Sequence, residues 1–195
     1  MRAGRAVLCC LLALAACNKP PDRQGGAPGY AEAALAPYPG TKVKYYLVEG
    51  IEPEEINESM RERNLGGKAH GSGFAVGLTQ WNARWRVPFE DDGRCDLSRA
   101  EIDMEVTVTL PQLANENASP ETQRQWGNFV ADVVAHEARH VALIHEHQPK
   151  ILEAIRSATC ETAAAAGDAA VARLAEANQQ FDAEAAASPT IGFPN

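Results

Sequence analysis

The 195-residue chain has a mass of 20.9 kDa, a formal net charge of -8 and a pI near 5.1. Its 18 lysines and arginines are outnumbered by 26 aspartates and glutamates. This balance argues against sequence-independent binding to nucleic acid, because affinity for phosphates needs a cationic surface. The hydrophobic fraction of 45% is typical of a protein with one ordinary folded domain.

The first 17 residues have the pattern of a secretory signal peptide. Arg2 and Arg5 make a short positive start, and the apolar run 6–16 is too short to span a bilayer as a stable helix. The sequence Leu-Ala-Ala directly before Cys17 resembles the lipobox of bacterial lipoproteins, which implies cleavage before Cys17 and lipidation of that cysteine. The alternative is an ordinary signal peptide followed by an incidental cysteine.

The positions of the five cysteines predict a disulfide. Removal of the signal peptide discards Cys9 and Cys10, and Cys17 carries the lipid. Cys95 and Cys160 then remain in an oxidising compartment, where two thiols pair. The predicted Cys95–Cys160 bond closes a loop of about 65 residues and stabilises the fold by a few kcal/mol in the chain-entropy description.

A proline- and glycine-rich segment follows the expected lipidation site. Residues 18–40 contain five prolines and four glycines without apolar periodicity, which predicts a disordered tether. A single domain is expected over residues 41–187, with a tail at 188–195. The expected contact with the membrane is the lipid on Cys17. By resemblance to enterobacterial lipoprotein sorting, Asn18 favours the periplasmic face of the outer membrane.

The first half of the domain predicts strands. Residues 42–48 are rich in β-branched and aromatic side chains, and a short helix is expected from Pro53. Residues 74–89 predict a second strand. Residues 102–110 alternate between apolar and polar side chains, as in a half-buried antiparallel strand. Together these segments predict a small antiparallel sheet.

The second half of the domain predicts helices. Ser119, Pro120 and Glu121 have the order of an N-cap, a first-turn proline and an early acid. Pro149 predicts a kink or a break in the helix that begins there, with a new helix starting at the proline. The alanine-rich segment 161–187 predicts a C-terminal helix. Its repeating face contains Val171, Leu174, Asn178 and Phe181. The expected fold class is therefore α+β, a small sheet followed by helices.

Residues 136–140 read HEARH, an H-E-x-x-H match within the predicted helix. One turn of helix separates His136 from His140, so both imidazoles can reach one Zn²⁺ at about 2.0–2.1 Å. Glu137 can take a proton from a zinc-bound water, whose pKa the metal lowers toward about 7. The pattern predicts zinc as cofactor and Glu137 as the base for attack on a peptide carbonyl. The alternative is polar surface decoration, but the apolar run 129–135 places these groups at the border of the core.

Several features follow one another as they do in a family of secreted bacterial proteins. They are KVKYYLVEG, the strand with Trp81 and Trp85, Gly93-x-Cys95, the strand ending VTVTLP, Trp126 before HEARH, and Cys160. Over most of residues 42–185 the chain resembles this family, a domain of unknown function described as predicted H-E-x-x-H zinc-dependent proteases. The resemblance implies a zincin-like fold with His136 and His140 as zinc ligands and Glu137 as base.

The sequence departs from that family where a further histidine is expected. Many members carry a C-terminal motif of the form Y-D-x-x-T-x-H-G. The matching segment here keeps an aromatic residue and an acid, Phe181 and Asp182, but has Ala187 at the position of the histidine. The third zinc ligand must therefore come from elsewhere if that histidine is the ligand in the family.

Five other side chains are candidates for a third ligand or for a residue of the cleft. Glu161 is preferred, because it follows the second motif histidine by 21 residues, near the spacing of thermolysin-like enzymes, and lies beside the predicted disulfide. Glu146 has the spacing of metzincins but lacks the glycine that turns their chain. His147 faces the same side as the second motif histidine two turns further on, whereas His145 points elsewhere. His70, in a glycine-rich turn, is interpreted as exposed.

Two functions remain open at this stage. The first is a zinc-dependent peptidase tethered in the cell envelope, which hydrolyses a protein or peptide substrate with Glu137 as general base. The second is a non-catalytic lipoprotein with a degenerate protease fold and a structural or partner-binding role. The missing C-terminal histidine favours the second function, and the presence of Glu137 favours the first.

Overall fold

The computed structural model of the protein describes residues 29–63, 65, 75–114, 117–187 and 192–194. The predicted signal peptide, the lipidation site Cys17 and His70 lie outside these residues. The described part contains, in chain order, α1 (Tyr30–Leu35), β1 (Thr41–Val48), α2 (Pro53–Arg63), β2 (Leu78–Arg86), a 3-10 helix (Leu97–Arg99), β3 (Glu101–Leu113), α3 (Pro120–Arg156) and α4 (Ala163–Ala186). This content confirms the predicted α+β class.

The sheet is mixed rather than antiparallel. Its order is β1-β3-β2, with β2 antiparallel and β1 parallel to the central strand β3. The prediction of an antiparallel sheet was therefore wrong for β1. The alternation along β3 specifies which face is buried, but it does not specify the direction of a neighbouring strand. Strands β1 and β2 lie at opposite edges of the sheet, and the connection between them contains α2. Because β1 and β3 are not joined by a hairpin, they can run in the same direction.

The core lies between one face of the sheet and α3. On β3 the buried face consists of Val106, Val108 and Leu110, whose relative exposures are 3%, 0% and 0%. The apolar stripe of α3 packs against it. This stripe includes Trp126, Phe129, Val130, Val133, Val134, Val141 and Ile144, all at most 5% exposed. Burial of this stripe fixes which face of α3 points away from the sheet.

Helix α3 begins as predicted but continues past Pro149. The Ser119 hydroxyl accepts a hydrogen bond from the Thr122 amide at 3.1 Å, which caps the first turn. The 37-residue helix contains Pro149 in its interior, so the predicted break was wrong. Ile144 and Ile151 are both fully buried on either side of it. Apolar burial on both sides offsets the cost of the missing proline amide.

Helix α4 returns alongside α3 and is fastened at its N-terminal end. Cys95 and Cys160 form the predicted disulfide, which ties the turn before α4 to the connection between β2 and β3. Gly167 faces the Trp85 ring of β2, and a Cβ at this position would lie 2.8 Å from Trp85 Cζ2. A glycine inside this helix therefore permits close contact between α4 and β2.

Two terminal segments pack against the domain. Residues 30–35, expected to belong to a disordered tether, instead form α1, whose Ala31 and Leu35 are 4% exposed. Near the other terminus, Phe193 is 7% exposed and its ring contacts Trp126 at a centroid distance of 5.6 Å. Apolar burial thus extends the folded region beyond the residues that showed periodicity. Among the described residues, no helix combines the length and apolar character needed to cross a bilayer.

Candidate metal centre

Helix α3 places two imidazole rings one turn apart on its side toward α4. The Nε2 atoms of His136 and His140 are 3.2 Å apart. The side chain of His136 is 20% exposed and that of His140 is 10% exposed. Because the apolar stripe faces the sheet, the two histidines lie at the edge of the core, where an ion can reach both rings.

Helix α4 supplies a carboxylate to the same point. Asp182 Oδ1 lies 3.3 Å from His136 Nε2 and 2.9 Å from His140 Nε2. These three side chains form a possible metal site, with their ligand atoms all within 4.8 Å of one another. Two imidazoles and one carboxylate suit divalent transition metal ions such as zinc.

Phe181 packs against both histidines. Its ring lies nearly parallel to that of His136, with centroids 4.8 Å apart and an interplanar angle of 30°. It meets His140 edge-on, with centroids 5.0 Å apart and an angle of 81°. These contacts restrict rotation of both imidazoles and so favour convergence of their Nε2 atoms.

Glu137 is buried beside the two histidines. It is 4% exposed, and its Oε2 atom accepts a hydrogen bond from the Thr79 hydroxyl of β2 at 2.7 Å. Burial raises the pKa of the Glu137 carboxyl, and the Thr79 hydrogen bond opposes that rise. A carboxyl whose pKa is raised holds a proton more readily, which suits a group that takes and returns one.

Gly77 allows the backbone before β2 to lie directly over Glu137. A Cβ at this position would be 2.6 Å from Glu137 Oε1 and 2.8 Å from Val133 Cγ1. Real Cβ atoms do not come so close, so any other residue here would displace the glutamate or the strand. Gly77 and Thr79 therefore hold the carboxylate from the β2 side.

Burial also acts on His136. It lowers the pKa of that imidazole, with a further lowering by the charge of His140 and an opposing effect of Asp182. The neutral form of an imidazole is the form that binds a metal ion. The environment of His136 therefore favours the binding-competent form.

The other side chains considered as ligands are elsewhere. Glu161 is exposed in the turn before α4, near Thr159, and about five helical turns separate it from the level of the histidines. Glu146 pairs with Arg139 at 2.7 Å on the exposed side of α3. The His147 ring is hydrogen-bonded to the Leu143 carbonyl. His145 packs against Tyr38. None of these groups joins His136 and His140 in the described structure.

Sequence reasoning missed Asp182 as a ligand. The signal was present, because Phe181 and Asp182 match the aromatic and acidic positions of the C-terminal motif discussed above. The motif by itself does not show whether its histidine or its acid lies near His136 and His140. Only the packing of α4 against α3 shows that this acid reaches the histidines.

A family described as "Bacterial protein of unknown function (DUF922)" matches residues 43–188. The chain belongs to this family. The match runs from the third residue of β1 to two residues past the end of α4, so it includes both histidines, Glu137 and Asp182. No curated protein and no solved structure matches the chain. The family description names no activity, so function is argued from the chemistry of the site.

Proposed function

We propose that the protein is a zinc-dependent peptidase-like hydrolase of the cell envelope. In this proposal His136, His140 and Asp182 bind the zinc ion and Glu137 is the general base. The observation that carries it is the convergence of two Nε2 atoms and one carboxylate oxygen within 3.3 Å of one another, directly beside a buried glutamate.

The separations of the ligand atoms support a tetrahedral zinc site. Ligand atoms at about 2.0–2.1 Å from a tetrahedral ion lie roughly 3.3–3.4 Å apart. The three separations here, 3.2, 3.3 and 2.9 Å, are within about 0.5 Å of that value. Three protein ligands are also the usual number in catalytic zinc sites, which keep the fourth position for water or substrate.

The chain's own groups have separable roles in hydrolysis. A bound zinc ion supplies Lewis acidity, which polarises a carbonyl and lowers the pKa of a coordinated water. Glu137 takes the proton from the attacking water and returns it to the leaving amine nitrogen as the C–N bond breaks. Thr79 orients the Glu137 carboxylate through its hydroxyl.

The envelope location rests on the export and lipobox patterns of residues 1–17. The Cys95–Cys160 disulfide is consistent with it, because disulfides persist in oxidising compartments. The zincin-like fold and the lipid anchor belong to this proposal. The predicted third ligand Glu161 has no part in it, because Asp182 supplies the carboxylate.

A direct test separates metal binding from catalysis. Glu137→Gln should retain one zinc ion per chain, measured by elemental analysis, and lose roughly 10²- to 10⁴-fold in kcat on a peptide library. Glu153→Gln, an exposed change on the same helix, is the matched control and should keep full activity. Wild-type protein that holds zinc and cleaves no peptide or peptidoglycan substrate would refute the enzymatic proposal.

One observation favours the non-catalytic alternative. Glu137 is only 4% exposed, Thr79 occupies one carboxylate oxygen and the Gly77 backbone lies over the other. A glutamate held in this way can serve to pack and orient the histidines around a structural ion. In that case Glu137→Gln would reduce zinc affinity or stability. The wild-type protein would have no peptidase activity.

A further inference from the structure

Asn178 of α4 lies on the side of His140 opposite to the possible metal site. Its Oδ1 atom is 2.7 Å from His140 Nδ1. Asp182, one turn further along α4, is 2.9 Å from Nε2 of the same ring. Both nitrogen atoms of this imidazole are therefore contacted by side chains of one helix.

The orientation of the Asn178 amide is fixed independently of the histidine. Its Nδ2 group donates a hydrogen bond to the Leu174 carbonyl at 2.9 Å. A flipped amide would place Oδ1 against that carbonyl, two acceptors with no hydrogen between them. The oxygen must therefore face His140, and His140 Nδ1 must carry a hydrogen to donate to it.

This hydrogen determines what the other nitrogen can do. A neutral imidazole has one N–H group, so a hydrogen on Nδ1 leaves a lone pair on Nε2. That lone pair faces the Asp182 carboxylate oxygen at 2.9 Å and His136 Nε2 at 3.2 Å. His136 can donate a hydrogen from its own Nε2, but the lone pair on His140 Nε2 and the Asp182 oxygen repel at 2.9 Å unless a metal ion or a hydrogen lies between them.

We propose that Asn178 is a positioning residue that holds His140 in its Nδ1–H tautomer and so presents Nε2 to the metal ion. The inference deepens the proposed function and rests on it for the identity of the ion. A hydrogen bond to the far nitrogen of a ligating histidine fixes the tautomer and the ring orientation, and its loss typically costs 10- to 100-fold in metal affinity.

The tautomer is measured first, in the absence of metal. Long-range ¹H–¹⁵N correlation spectra of the whole ¹⁵N-labelled protein in EDTA at mildly alkaline pH distinguish a protonated Nδ1 from a protonated Nε2. A His140→Gln chain identifies the resonances of this ring. We expect Nδ1–H in the wild type and in Asn178→Asp, whose carboxylate can rotate to keep one oxygen on His140 Nδ1 while the other turns away from the Leu174 carbonyl, and appearance of the Nε2–H form in Asn178→Leu.

Zinc affinity is measured second, by competition with a chelator. Asn178→Leu should bind zinc 10- to 100-fold more weakly than the wild type, and Asn178→Asp should restore the affinity to within a few-fold. Gln179→Leu changes the adjacent exposed position on α4 and should leave both measurements unaltered.

The outcomes separate this inference from the proposed function. A wild-type His140 ring without a hydrogen on Nδ1 would overturn the inference, whether or not Asn178→Leu folds. A folded Asn178→Leu protein with wild-type tautomer and wild-type affinity would overturn it too. Wild-type protein with the Nδ1–H tautomer but no zinc binding would support the role of Asn178 and refute the proposed function.

Discussion

The two ends of the α3–α4 pair are held together in different ways. At one end the Cys95–Cys160 disulfide and the contact of Trp85 with Gly167 fasten the start of α4 by covalent and apolar means. At the other end Asp182 approaches His136 and His140 through nitrogen and oxygen atoms, and the Phe181 ring packs against both imidazoles. The first end is closed by a covalent bond, whereas in the proposed function the second is completed by a bound cation. The stability of the disulfide end should therefore be independent of metal. The packing of Asp182 against the two histidines should depend on it.

The largest expected effect on stability comes from removing the disulfide. The paired change Cys95→Ser with Cys160→Ser should lower the free energy of unfolding by about 2–5 kcal/mol, because the unfolded chain regains loop entropy. Urea denaturation of the metal-free protein measures this loss. Zinc affinity of the folded variant should stay within a few-fold of wild type. A greater than tenfold fall in affinity would show that the two ends are not independent.

Zinc should stabilise the end of the α3–α4 pair that contains His136, His140 and Asp182. With free zinc at 100 times its dissociation constant, the EDTA-treated protein should gain about 2.7 kcal/mol, because the ion binds the folded state alone. Thermal unfolding with and without zinc detects the gain. Asp182→Asn should lose most of it, whereas Asp168→Asn, an exposed change on the same helix, should keep it. An equal gain in both variants would exclude Asp182 as a ligand.

Two glycines allow the same change to be made at each end. Gly167→Ala brings a Cβ within 2.8 Å of the Trp85 ring, and Gly77→Ala brings one within 2.6 Å of Glu137 Oε1. Each should cost about 1–3 kcal/mol from overpacking, and at Gly167 the better helix propensity of alanine offsets about 1 kcal/mol of that cost. Only Gly77→Ala should also change catalysis, measured as kcat on a cleaved peptide. Trp85→Phe should relieve the cost at Gly167 and have no effect at Gly77.

The smallest expected effect is a pH dependence of the metal-free protein. Burial raises the pKa of Glu137, so the folded state binds its proton more tightly than the unfolded state does. The stability from this group is present at acid pH and is lost as the pH rises through the folded-state pKa. Glu137→Gln should therefore be more stable than wild type at neutral pH and equal to it below the pKa of an unfolded glutamate. Urea denaturation across this pH range in EDTA measures the difference, with Glu153→Gln as a control that should show none.

Local patterns predicted most of the elements that build the site. Alternation along β3, the cap at Ser119 and the apolar stripe of α3 depend on neighbours within a few residues, so they are visible in the sequence. The same holds for His136, Glu137 and His140, which one helix brings together. Helix α1 was missed because six residues between prolines show too little periodicity to indicate a helix.

Contacts between distant segments were not predictable in the same way. The direction of β1 depends on how the chain crosses the sheet, and alternation carries no information about it. Pro149 was expected to kink or break a helix, but burial on both sides of it stabilises the continuous form. Glu161 was preferred as a ligand for its spacing and its place beside the disulfide, and neither shows where two long helices are in register.

The sequence by itself determined the disulfide pairing, the α+β class and the two histidines with their glutamate, because each depends on local spacing or on counting. The tertiary structure alone decided that Asp182 and Asn178 meet the same imidazole from opposite sides. That meeting depends on the register of α4 against α3, which is set by contacts between residues far apart in the sequence and not by a local pattern.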